Sequence, residues 1–319
     1  MQRCGFVALV GKPNAGKSTL LNSILGQKLA VVSRKPQTTR NRILGVHTVK
    51  DTQFLFLDTP GVHSHRYAYL NEAMNAVTNQ VITDASVIVY MVDINRGLDE
   101  DDEKVLMQIK NESHVPLVFV YSQEDKIPKN ERKNVIQTNV KKYFDILLKQ
   151  ELLDLKKRFV ENSPRIFSAK NKEMVSDLLK LIESHLPESP FLYPEDEMTD
   201  RSGEFLAAEL IREQVFRCLG KEVPYETAVV VSQLNDRKDL IVCHAEIIVA
   251  RESHKPMVIG RKGQKVKEIG VLSKESLEKL YEKKVFLELT VRVQRNWMNE
   301  KDHVESLAHL LELHCDQVN

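Results

Sequence analysis

The chain has 319 residues, with 46 Lys+Arg against 45 Asp+Glu and a formal net charge of +1. That length can bury two hydrophobic cores, and the balanced charge says nothing about nucleic acid, so any basic surface must be local. Cys4, Cys218, Cys243 and Cys315 are scattered without a C-x-x-C pair, which argues against a disulfide framework or zinc site and fits a reducing compartment.

The opening residues run directly into an apolar stretch at 5–10, leaving no room for a signal peptide, and no apolar run approaches the ~20 residues of a membrane span. A soluble intracellular protein is expected. The stretch reads as a buried strand. It leads into Gly11-Lys12-Pro13-Asn14-Ala15-Gly16-Lys17-Ser18, which fits the phosphate-binding pattern G-x-x-x-x-G-K-[ST]. Residues 18–25 read as a helix with Leu20, Leu21, Ile24 and Leu25 on one side. Strand, glycine loop and helix are the setting in which loop and helix N–H groups face phosphates. Lys17 can then reach the β- and γ-phosphates, and Ser18 can hold Mg²⁺.

A polar stretch at 33–40 follows, then strand candidates at 43–49 and 53–57 whose short separation suits a hairpin, making one strand antiparallel. Asp58-Thr59-Pro60-Gly61 ends the second of these, with Asp58 as a water-mediated Mg²⁺ holder and Gly61 as an N–H donor to the γ-phosphate. Thr38 or Thr39 can complete the Mg²⁺ shell, and the sequence does not choose between them. Continuous apolar runs at 87–92 and 116–121 read as strands covered on both faces. Residues 131–160 read as one or two helices, 165–167 as a short strand, and 174–186 as an amphipathic helix. This alternation predicts a mainly parallel sheet with helices on both faces.

Prolines 187, 190 and 194 and an acidic cluster mark a linker at 188–200, dividing a domain at 1–187 from one at 201–319. The second domain reads α-β-β-α-β. It has a helix at 205–219, strands at 227–233 and 240–250 joined by a turn at Asn235-Asp236, and a glycine loop at 258–263. A helix at 264–282 interrupted near Gly270, a half-buried antiparallel strand at 285–293 and a closing helix at 304–313 complete it.

Gly260-Arg261-Lys262-Gly263 is a G-x-x-G loop of the kind that clamps single-stranded RNA, because its glycines let the backbone approach phosphates. Arg251, Lys255, Arg261, Lys262, Lys265 and Lys267 surround it, opposed only by Glu252, and Met257, Val258 and Ile259 can floor the bases.

Together these motifs resemble the Era family of translation-factor-related GTPases, which carry a C-terminal KH domain. The resemblance covers nearly the whole chain. It rests on the P-loop, Lys35-Pro36-Gln37-Thr38-Thr39-Arg40, Asp58-Thr59-Pro60-Gly61, Ser168-Ala169-Lys170, Asp200-Arg201-Ser202, the turn from Leu219 to Tyr225 and the loop from Met257 to Gly263. It implies a P-loop GTPase domain followed by an α+β type II KH domain, with GTP/GDP and Mg²⁺ as cofactors. Catalysis is assigned to Lys17, Thr39 and Gly61. Nucleotide contacts are assigned to Asn14, Ala15, Gly16, Lys17, Ser18, Thr19, Asp58, Gly61, Ser122, Gln123, Asp125, Ser168, Ala169 and Lys170. RNA contacts fall on Met257, Ile259, Gly260, Arg261, Lys262, Gly263, Lys265 and Lys267. The implied partners are the 3′ end of small-subunit ribosomal RNA and the small subunit, with no DNA. A cytoplasmic monomer is implied, with peripheral membrane association allowed. Competing readings are a P-loop kinase or ATPase, and a hydrolytically weak RNA-binding protein with a degenerate guanine motif.

Two departures stand out. Such GTPases read guanine with Asn-Lys-x-Asp, but here the positions are Ser122-Gln123-Glu124-Asp125. Asp125 can still accept from guanine N1–H and N2–H₂. Ser122 is expected to be too short to tie the base loop to the P-loop, and nucleotide binding is expected to weaken. Val62 stands where some small GTPases orient water with Gln, and Asn14 resembles the asparagine that ligates K⁺ in potassium-activated relatives. Hydrolysis is therefore expected to be slow and K⁺-responsive.

Overall fold

The computed structural model describes residues 1–32, 39–60, 68–220 and 222–307. Thr38, Gly61, Val62 and the Lys221 position of the turn lie outside the described residues. By packing, the chain divides into two units. The first holds Met1–Ala30, Arg42–His63 and Asn75–Asp200; the second holds Val31–Asn41, Ser64–Met74 and Arg201–Asn319.

In the first unit the described elements run β1 (Arg3–Val10), α1 (Lys17–Leu25), β2 (Ile43–Val49), β3 (Thr52–Asp58), α2 (Ala68–Asp84, which belongs to this unit from Asn75 on), β4 (Val87–Asp93), α3 (Glu100–Glu112), β5 (Leu117–Ser122), α4 (Arg132–Leu147), α5 (Leu153–Lys156), β6 (Arg165–Ile166) and α6 (Lys172–Glu183). The strands form one sheet in the order β2-β3-β1-β4-β5-β6, parallel except for the β2/β3 hairpin. Residues 87–91 of β4 are fully buried, the consequence of a central strand covered on both faces. Helices α2 and α3 are additions to the elements expected from the sequence. The parallel order gathers the C-terminal ends of β1, β3, β4 and β5 at one edge, where ligands of open α/β sheets bind.

The second unit contains α7 (Gly203–Cys218), β7 (Thr227–Arg237), β8 (Leu240–Val249), α8 (Lys255–Ile259), α9 (Gln264–Tyr281), β9 (Lys284–Val293) and α10 (Lys301–Leu307). The sheet order is β7-β8-β9. Three expectations need correction. Strand β9 runs parallel, not antiparallel, to β8. Asn235 and Asp236 are paired in the β7/β8 ribbon with Val242 and Ile241, so the reversal lies at Lys238 and Asp239. Helix α9 passes through Gly270 unbroken because Ile269, Ser273 and Leu277, spaced four apart, hold one buried face together.

Arg40 belongs to this second unit and is 3% exposed. Its guanidinium donates to Thr227 O and Tyr225 O, each at 2.7 Å, and lies 5.8 Å from the ring centroids of both Phe216 and Trp297. Planar donors and a weakly hydrated cation suit such a cage of carbonyls and aromatic faces.

Candidate functional site: a nucleotide pocket and a glycine-loop RNA surface

The pocket begins where β1 ends. Gly11 has φ +147°, and a Cβ there would stand 2.2 Å from Met91 O, so only glycine lets the loop leave the strand beside β4. Asn14 and Gly16 adopt left-handed backbone, and Gly16 caps α1 without a side-chain hydrogen bond. The first N–H groups of α1 are thus left for an anion.

Lys17 is 6% exposed and donates to Gly11 O at 2.7 Å and Lys12 O at 3.1 Å. Burial lowers its pKa to about 8, opposed by Asp58. Asp58, at the end of β3, is fully buried; burial raises it to about 6 against the pull of Lys17 and Ser18. Ser18 Oγ donates to Asp58 Oδ2 at 2.6 Å, while the buried Asp58 Oδ1 has no hydrogen-bond partner. A hydroxyl and a carboxylate oxygen side by side, with one carboxylate oxygen unspent, are the hard ligands Mg²⁺ takes. Ser18 and Asp58 would hold the ion, which would neutralise charge on the β- and γ-phosphates. Thr59 Oγ1 donates to Leu9 O at 2.8 Å and fixes the chain just beyond Asp58. Thr39, the described one of the two threonine candidates, is buried and packs with the second unit.

The base side of the pocket corrects one expectation. Ser122, 3% exposed at the end of β5, is not too short to reach the P-loop: its Oγ donates to Ala15 O and also lies 3.2 Å from Val92 O. The backbone approach made by Gly16, whose hypothetical Cβ is 3.6 Å from Ser122 Oγ, brings the loop close enough for a serine. Gln123 Nε2 donates to Asn14 O at 2.5 Å, a second tie to the loop. Asp125 accepts from Ser168 Oγ at 2.8 Å and Lys170 Nζ at 2.6 Å. Burial pushes this carboxyl up, but the Lys170 and Ser168 bonds outweigh it and hold it below its usual 3.8. Ala169 O accepts from Ser23 Oγ of α1 at 2.6 Å, which fastens the Ser168-Ala169-Lys170 turn to the helix that follows the P-loop. Asn14, Ala15, Gly16, Lys17, Ser18, Asp58, Ser122, Gln123, Asp125, Ser168, Ala169 and Lys170 therefore form one connected constellation. Thr19 is the next residue of the same helix.

On the second unit, Gly260 has φ +73°, and a Cβ there would lie 2.5 Å from Lys265 Cβ and 2.9 Å from Lys265 N. The loop can fold onto the start of α9 only without a side chain. Arg261 and Lys262 are exposed, as are Met257 at 56% and Lys267. Val258 is fully buried in the core of this unit, so it cannot floor the bases with Met257 and Ile259. The basic cluster is also less free than its sequence suggests. Lys265 pairs with Glu268 at 2.7 Å and Arg251 with Glu226 at 3.1 Å. No group of three or more His, Cys, Asp or Glu side chains that could hold a metal occurs among the described residues.

The profile of the family described as 50S ribosome-binding GTPase matches residues 6–123, and that of the KH domain matches residues 222–298. The GTPase Era of Ectopseudomonas mendocina is 38% identical over 312 residues, 97% of this chain and 98% of that protein. That of Pseudomonas aeruginosa is 38% identical over 96% of this chain and 95% of its own length. A crystal structure of an Aquifex aeolicus Era variant bound to GDP·AlF4⁻ superposes with a TM-score of 0.84 at 34% identity, covering 97% of this chain and 99% of that one. A crystal structure of Era with MgGDPNP and nucleotides 1506–1542 of 16S ribosomal RNA gives 0.84 at 35% identity with the same coverage. With this identity running through both units, the chain belongs to the Era family of GTPases.

Proposed function

We propose that this chain binds GTP with Mg²⁺, hydrolyses it to GDP and phosphate, and binds the 3′ end of small-subunit ribosomal RNA as an assembly factor, the nucleotide state controlling RNA binding. The observation that carries the nucleotide reading is the Lys17–Ser18–Asp58 cluster, with a buried cation, a hydroxyl and an unspent carboxylate oxygen at the C-terminal edge of the sheet. The 16S ribosomal RNA fragment bound by an Era of the same architecture supports the RNA reading.

In this reading N–H groups of residues 14–19 surround the phosphates and Lys17 offsets charge building on the γ-phosphate during its transfer to water. Gly61 and Thr39 respond to the γ-phosphate, Asp125 reads the guanine edge, and Ser168, Ala169 and Lys170 brace it. Val62 lacks a group to orient water, so turnover is slow; Asn14 would hold a K⁺ ion, which would supply positive charge beside the phosphates. Gly260, Arg261, Lys262, Gly263, Lys267 and the apolar Met257 and Ile259 hold RNA, with Lys265 shared with Glu268. The protein works in the cytoplasm as a monomer. A degenerate, hydrolytically silent pocket is disfavoured by Ser122, which still ties the base loop to Ala15.

Multiple-turnover hydrolysis of GTP and ATP, with and without the RNA 3′ end, tests this. GTP-selective turnover that rises when Na⁺ is exchanged for K⁺ is expected. Equal use of ATP would remove the guanine reading, and equal rates in the two salts would remove the K⁺ role alone.

A further inference from the structure

Gln123, at the place the Asn-Lys-x-Asp pattern gives to lysine, stands in left-handed backbone (φ 62°, ψ 29°) at the head of the turn Glu124–Lys126. The turn brings Lys126 back beside it: Lys126 N donates to Gln123 O at 3.0 Å, and Lys126 Nζ donates to Gln123 Oε1. On its other side the same carboxamide donates from Nε2 to Asn14 O. The two neighbours demand the same amide orientation. Rotating the amide by a half turn would set oxygen against the Asn14 carbonyl and NH₂ against the ammonium, losing both bonds. The turn is itself anchored, by Glu124 N to Phe167 O at 3.2 Å and by the Arg132–Glu124 ion pair.

We propose that Lys126 is a positioning residue for the guanine pocket, and that it and Gln123 together replace the single missing lysine. Gln123 supplies the flat cover and the tie to the P-loop. Lys126 supplies the cation and locks the amide so that its Nε2 always faces Asn14. The proposal rests on the guanine-nucleotide reading above. It also makes the pair interdependent: the glutamine works only with its lysine, and the lysine works only with its glutamine.

Stopped-flow release of a fluorescent GDP from the full chain tests this. Lys126 is exposed, so Lys126→Met should fold normally. One stabilising hydrogen bond is removed, so GDP should leave about three- to tenfold faster. Lys126→Arg should restore most of the wild-type rate. The deciding arm is the Gln123→Lys background. There the ammonium of Lys126 loses its acceptor and faces a like charge, so Lys126→Met should leave release unchanged or slow it. The preference for GDP over IDP should stay constant in every variant, because Asp125 is untouched. Release within twofold of wild type for Lys126→Met, or the same acceleration in both backgrounds, would overturn the proposal. A wild-type chain that binds no GDP would instead overturn the nucleotide reading beneath it.

Discussion

Lys12, inside the P-loop, donates to Asp99, the residue that caps α3, with Nζ to Oδ1 at 2.6 Å. Asp99 also accepts from Asp101 N at 3.0 Å and Asp102 N at 3.3 Å, and Asp102 Oδ2 accepts from Asp99 N at 3.2 Å. One carboxylate thus caps the start of a helix and steadies the phosphate loop. Asp99→Ala should cost about 1 kcal/mol of stability through the lost cap and also speed GDP release. Lys12→Met keeps the cap, so it should speed release while moving the urea midpoint little. Identical stability losses in the two variants would show that the helix cap and the loop tie are not separable.

Lys17→Ala removes the buried ammonium nearest the phosphate cradle. Charge-assisted bonds to phosphate contribute about 1.5–3 kcal/mol each, so tight GTP binding should vanish. Calorimetric titration at fixed Mg²⁺ checks this, and a variant binding GTP as tightly as wild type would contradict the P-loop assignment.

The carboxyl of Asp125 is held below 3.8, so its charge is present at neutral pH and is lost only as pH falls through that depressed value. The preference for GDP over IDP should therefore be flat from neutral pH to about 5. Lys170→Ala removes the strongest hold on the charge, leaving the Ser168 bond and a backbone bond to oppose burial, so the carboxyl rises. Its preference should start to fall at a higher pH than in wild type. Superimposable profiles would exclude Lys170 as the group that keeps Asp125 ionised.

How much is legible in the sequence depends on how far apart the interacting residues lie. The strand–loop–helix unit and Asp58 can be read because Gly11, Gly16 and the apolar runs encode local backbone. The direction of β9 cannot: alternation records one buried face, and that is the same whether the neighbour runs parallel or antiparallel. Asn235 and Asp236 read as a turn because the far end of the ribbon is solvated, where polar residues cost nothing. The Ser122 tie escapes a sequence reading because its length has to be judged against an unknown gap, which the close approach at Gly16 narrows. The partnership of Gln123 with Lys126 and the cage around Arg40 depend on tertiary placement and leave no local pattern.

Replacing Arg261 and Lys262 together by Asp should abolish tight binding of single-stranded RNA and leave GTP affinity unchanged. Each exposed cation becomes an anion beside the glycine loop, and the salt dependence of binding should flatten in proportion to the phosphates no longer neutralised. Filter binding across a salt series checks this. A folded double variant with wild-type RNA affinity would remove the RNA reading of the loop.

The cage around Arg40 also sets an order of events during synthesis. Arg40 and Thr227 are 187 residues apart in the chain. At ribosomal elongation rates that separation takes roughly ten to forty seconds to traverse. For all of that interval the guanidinium has left the ribosome without the carbonyls and rings that will enclose it. The second unit therefore cannot enclose Arg40, which is made early in the chain, until its own later residues have followed. A chain ending before Thr227 would never supply them.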